Sequence, residues 1–72
     1  KSKVEIYPNP TSDFIKIKNA GKIDFVRIFD LSGKMVKETK ASDIDVRSLS
    51  AGQYILNIHS GNEINSQKFI KK

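Results

Sequence analysis

The sequence predicts an all-β domain of about seven strands packed as a sandwich. Three observations carry this. The apolar residues are of the strand-forming kind: Ile and Val number 14, Ala and Leu only 6. β-branched side chains suit a pleated strand, and the best helix formers are scarce. Strand-like and turn-like stretches alternate about every eight to twelve residues, the rhythm of a sandwich or barrel. Most of the strand-like stretches also alternate apolar and polar side chains, as strands with one buried face do.

The elements follow in order. Val4 to Tyr7 alternates and stops at Pro8-Asn9-Pro10. Two prolines flanking an Asn remove two backbone donors and fix two φ angles, so a rigid corner is expected. Thr11-Ser12-Asp13 continues the turn with side chains able to cap loose backbone groups. Phe14 to Lys18 is the second strand, with Ile15 and Ile17 on one face and Lys16 and Lys18 on the other. Asn19-Ala20-Gly21-Lys22 turns the chain. Ile23 to Asp30 is apolar on both faces apart from Arg27, which marks a central strand.

Leu31-Ser32-Gly33-Lys34 reads as a short hairpin loop in which Gly33 takes a positive φ. Met35 to Thr39 runs back, and Asp43 to Val46 places Ile44 and Val46 on one face. Arg47 to Gly52 is a loop anchored by Leu49. Gln53 to His59 puts Tyr54, Leu56 and Ile58 on one face, and a second hairpin turn spans Ser60 to Glu63. The last strand, Ile64 to Lys71, alternates poorly, because Ile64 and Ile70 share parity and Phe69 does not. An edge position or a bulge accounts for that. The expected inner-face residues are Ile6, Ile15, Ile17, Val26, Ile28, Val36, Leu56, Ile58 and most of the aromatics, with Phe14 and Phe69 the candidates for exposure.

Size and composition exclude several functions. A chain of 72 residues is one small domain, with a stability of only ~3–5 kcal/mol. There is no cysteine and one histidine, so disulfides, thiolate sites and multi-histidine zinc sites are excluded. The longest apolar run is Tyr54-Ile55-Leu56, so membrane insertion is not expected. Basic residues outnumber acidic ones 13 to 8. Eleven of them are lysines spread along the chain, whereas nucleic-acid readers gather arginines on a stripe. Nucleic acid is therefore not an expected partner.

No constellation supports catalysis or a cofactor. His59 is a lone imidazole at a strand end, without the carboxylate and nucleophile a triad requires. Asp43-Ile44-Asp45 lacks the glycine and closing glutamate of a calcium loop. Gly33-Lys34 is followed by Met35, not the Ser or Thr of a phosphate loop. The six aromatics could form a stacking platform for bases or sugars, but a small chain needs them in its core. The residues alone thus indicate a non-catalytic binding or address module, with no metal and no cofactor. A non-catalytic β-sandwich stalk or adhesion module, carbohydrate-binding modules included, is the alternative.

Four segments sharpen this reading. They are Ile6-Tyr7-Pro8-Asn9-Pro10, then Val26 to Val36 with Asp30-Leu31-Ser32-Gly33-Lys34 at its centre, then Leu49-Ser50-Ala51-Gly52-Gln53-Tyr54, and a last strand ending Lys68-Phe69-Ile70-Lys71-Lys72. In this order and spacing the chain resembles the type A C-terminal sorting domain of the type IX (Por) secretion system of Bacteroidota. The resemblance covers essentially the whole chain. Ser50 stands where the family often has proline.

The resemblance implies an immunoglobulin-like sandwich of about seven strands at the end of a larger secreted precursor, residues 1–72 being one excised domain. It implies an N-terminally fused cargo, exported through the periplasm to the cell surface or medium. It implies as partners the type IX translocon and its outer-membrane shuttle proteins, and a sortase-like surface peptidase that removes the domain. The residues it marks for recognition are Tyr7, Pro8, Asn9, Pro10, Asp30, Gly33, Leu49, Gly52, Tyr54, Lys68, Lys71 and Lys72. The lysine-rich last strand, read as a sheet edge, has two readings of equal standing: it is open to strand addition by an acidic receptor, or its lysines only keep the edge soluble.

Overall fold

A sheet with one apolar face must cover it, and here two sheets cover each other. The computed structural model describes residues 4–8, 10–18 and 20–72. Its seven strands are β1 Glu5–Tyr7, β2 Phe14–Lys18, β3 Phe25–Asp30, β4 Met35–Thr39, β5 Asp43–Asp45, β6 Gly52–Ser60 and β7 Glu63–Lys71. One sheet has the order β1-β2-β5 and the other β4-β3-β6-β7. Every strand pairing is antiparallel. The fold is the all-β, immunoglobulin-like sandwich the sequence called for, and β3 is an interior strand as its two apolar faces require.

The core follows from period-2 patterning. Ile15, Val26, Ile28, Ile44, Val46, Leu56, Ile58 and Phe69 are sealed from solvent, joined by Val4 and Tyr54. Ile6 and Ile17 pack against this cluster while staying partly exposed.

Three expectations are corrected. Val36 is 37% exposed, not an inner-face residue. Between Ile28 and Phe29 the β3–β4 register slips, leaving Val36 without a partner, and a bulge re-aims the residue it inserts. The aromatics are mostly outside the core: Tyr54 and Phe69 are buried, but Tyr7 and Phe14 are exposed and Phe25 and Phe29 are half-buried. Aliphatic side chains fill the space between these small sheets, which leaves β3 to carry its phenylalanines on the outer face. Phe69, a candidate for exposure, is one of the most buried residues at 1%.

β7 is an edge strand and runs without a bulge. Its nine residues pair with β6 in unbroken register from Ser60↔Glu63 to Gly52↔Lys71. Its odd-numbered residues face inward, so Ile64 and Ile70 point out and Lys71 points in.

Candidate functional site

Asp30 ends β3 and organises the first hairpin loop. Its Oδ1 accepts hydrogen bonds from the Ser32 amide (2.9 Å), the Ser32 hydroxyl (2.6 Å) and the Lys34 amide (3.0 Å). The Gly33 amide donates to the Asp30 carbonyl, and the Asp30 amide to the Lys34 carbonyl. This is a three-residue hairpin loop whose last residue needs a left-handed conformation, and Gly33 supplies it at φ 92°. The Ser32 hydroxyl, followed by the Lys34 and Ser32 amides and the Lys34 charge, holds the Asp30 carboxyl below its ordinary range.

The Leu49 to Tyr54 segment is a second built corner. Leu49 packs on the core. The Tyr54 hydroxyl donates back to the Ser50 carbonyl at 2.6 Å, the arrangement that pins sandwich corners in immunoglobulin-like domains. The Tyr54 ring stacks on Phe69 with centroids 5.5 Å apart. Between them Gly52 has φ 153°, a backbone state that side-chain-bearing residues rarely adopt.

The first corner and the last strand meet beside these loops. The Tyr7-Pro8 peptide is cis, and Pro8 and Pro10 are exposed. Asn9 lies outside the described residues. Thr11 then bridges to the other sheet: its amide donates to the Ile70 carbonyl (2.9 Å) and its carbonyl accepts from the Lys72 amide (2.8 Å). This is a parallel bridge opposite Lys71. Thr11 is only 2% exposed, and its hydroxyl donates to the Phe14 carbonyl at 2.6 Å. Its cross-sheet role was not visible in the sequence, which offered only a polar turn residue.

Register brings the family segments to one pole of the sandwich. Asp30 pairs with Tyr54, Tyr54 with Phe69, and Gly52 with Lys71, which in turn lies beside Thr11. A cleft of about 310 Å³ opens at this pole, lined by Pro8, Pro10, Thr11, Ser12, Asp13, Phe14, Lys16 and Lys72. Arg47 covers part of Phe14, its guanidinium 5.1 Å from the ring centre, while holding Asp45 in a two-pronged pair. That pairing, reinforced by the Arg47 amide, keeps the Asp45 carboxyl well below the usual carboxylate range.

The three lysines marked for recognition part company. Lys72 lines the cleft. Lys68 is exposed on the outer face beside Ile55. Lys71 is 8% exposed and donates to the Lys72 carbonyl at 3.2 Å. Elsewhere, His59 stacks on Phe25 at 4.1 Å between ring centres, and Arg27 covers the same ring. Phe25 is thus covered by its neighbours. Among the described residues, no group of acids and histidine could hold a metal ion.

The family model for the secretion system C-terminal sorting domain matches residues 5–72. The chain belongs to that family. The sorting domain is a type IX secretion signal, and membership implies export to the cell surface or beyond. Among curated proteins, none matches this sequence. In the sorting domain, Asp30, Gly33, Gly52 and Tyr54 build turns. Pro8, Pro10, Phe14, Lys16 and Lys72 line the neighbouring cleft, where Thr11 is bonded to residues 70 and 72.

Proposed function

We propose that this sorting domain carries an N-terminally fused cargo across the outer membrane by presenting its motif-bearing pole to the type IX translocon and its shuttle proteins. Residues 1–72 act in this reading as one domain of a larger secreted precursor. A sortase-like peptidase removes the domain at the surface, and the domain itself catalyses nothing. One observation carries the reading. Segments separated by most of the chain converge at one end, and their family-typical residues are spent on fixing its shape. Shape held so firmly around a shallow cleft suits recognition by a partner, because preorganisation lowers the entropy lost on binding.

The test is a fluorescent passenger fused ahead of residue 1 in a cell with a type IX system. Wild-type fusion should reach the surface. A pole variant, Lys16→Ala with Lys72→Glu, avoids a like charge opposite Asp43; purified, it should melt cooperatively, and in the fusion it should leave the passenger in the periplasm. Surface delivery of the variant at the wild-type level would move recognition away from the cleft. Retention of the wild-type fusion would defeat the sorting reading itself.

A further inference from the structure

Each sheet has two edges, and the described residues protect three of them. β1 and β5 are three residues long, and β5 begins and ends in aspartate. β4 is broken by the bulge at Val36 and carries Lys37 and Glu38. Short length, charge and bulges are the devices by which proteins keep edges from pairing. β7 has nine residues in unbroken register, and its outward side chains include Ile64 at 63% exposure.

The Thr11 bridge reveals which backbone groups face out. The Ile70 carbonyl and the Lys72 amide point away from β6, toward Thr11. A strand's N–H and C=O groups alternate sides with each residue, so the amides and carbonyls of Ile64 and Ser66 point the same way. At residues 70–72 the chain adds its own Thr11 to this edge. Around residues 63–67 no described residue does so. A second cleft, of about 450 Å³ and lined by Glu5, Ile6, Tyr7, Lys18 and Gln67, opens between β1 and β7. A strand laid beside β7 would turn its inward side chains toward this cleft.

We propose that the exposed half of β7, around Ile64 and Ser66, is a docking edge for an extended, net acidic segment of the secretion machinery, which joins the four-stranded sheet as a fifth strand. Main-chain bonds to Ile64 and Ser66 supply the affinity. An apolar side chain beside Ile64 and one entering the β1–β7 cleft supply selectivity. The acidic character follows from the domain's net charge of +5, which draws in an acidic segment and opposes pairing with a second copy. The proposal rests on the sorting reading and adds a second contact surface, at the end of β7 away from the motif-bearing pole.

The test uses the same passenger fusion with Ser66→Pro. Proline removes the outward amide and blocks the edge, and it leaves the residues bonded to β6 intact. The purified variant should melt cooperatively, while surface delivery falls about tenfold, the scale of one or two lost hydrogen bonds. Wild-type delivery by folded Ser66→Pro overturns edge docking and leaves the sorting reading standing, whereas failure of the wild-type fusion overturns the latter. If Ser66→Pro does not fold, Ile64→Lys decides by the same readout, since a lysine at this exposed position guards the edge and spares the core. Hydrogen exchange on the isolated domain gives an independent check. The Ile64 and Ser66 amides should exchange fast at every protein concentration. Protection that grows with concentration would place a second copy on the edge and refute the proposal.

Discussion

Deleting residues 70–72 should unfold the domain, although it removes only three residues from an end. The deletion takes away both bonds to Thr11, at 2.9 and 2.8 Å. It also removes the Gly52↔Lys71 rung, which by the alternation of the ladder exchanges two more bonds. Four backbone bonds at about 1 kcal/mol each come to about 4 kcal/mol. That matches the ~3–5 kcal/mol available to a domain of this size. It would also expose Phe69, now 1% exposed and stacked under Tyr54. Lys72→Ala keeps every one of those main-chain bonds and trims only an exposed side chain, so it should move stability by less than about 0.5 kcal/mol. Urea denaturation followed by far-ultraviolet circular dichroism separates the two. A truncated chain that still melts in one cooperative transition within about 1 kcal/mol of wild type would refute the reasoning. Loss of export on truncation is accordingly expected as a folding defect, and recognition is better probed at Lys72 alone.

Other substitutions test the corners. Tyr54→Phe removes the bond to the Ser50 carbonyl and should cost about 1 kcal/mol, lowering the melting temperature by about 4–8 °C; an unchanged midpoint would show that the corner is held by packing alone. Gly52→Val should destabilise by about 1–3 kcal/mol, through backbone strain at φ 153° and not through a clash, because a Cβ there meets nothing within 4 Å. In calorimetric scans across pH, the folded-state carboxyls of Asp30 and Asp45 sit below their ordinary value of 3.8. Groups depressed in this way contribute stability above their unfolded value and lose it as pH falls. The midpoint should therefore be level from neutrality to about pH 4 and decline below it. Asp30→Ala should shallow that decline, and an identical acid slope in the variant would remove Asp30 from the explanation.

Local pattern carried most of the fold. Ile15, Ile44, Val46, Tyr54, Leu56 and Ile58 face inward, as strict alternation dictated, and Gly33 has the positive φ its loop demanded. The misreadings came from long-range contacts. β7 offers two isoleucines of one parity against a single Phe69 of the other. The parity that wins places Asn65, Gln67 and Lys71 on the inner side. Gln67 is accommodated because its amide donates to the Val4 carbonyl, 63 residues away in sequence. No window along the chain contains that partner. Val36 was misplaced because one inserted residue in β4 shifts everything on one side of it. At the pole, the turn chemistry of Asp30 and Gly33 was legible because its bonds lie within five residues. The Thr11 bridge was not, because its two halves come from opposite ends of the sequence.

That bridge also bears on the order in which the domain can assemble. The groups Thr11 binds belong to residues 70 and 72, so the loop it closes is nearly as long as the domain itself. β6 and β7 meet through a short turn, and β3 and β4 do so as well. Contacts that close a long loop are rewarded only after its entropy has been spent. The two hairpins are therefore expected to form first, and the pole to close last, as the step that locks one sheet to the other.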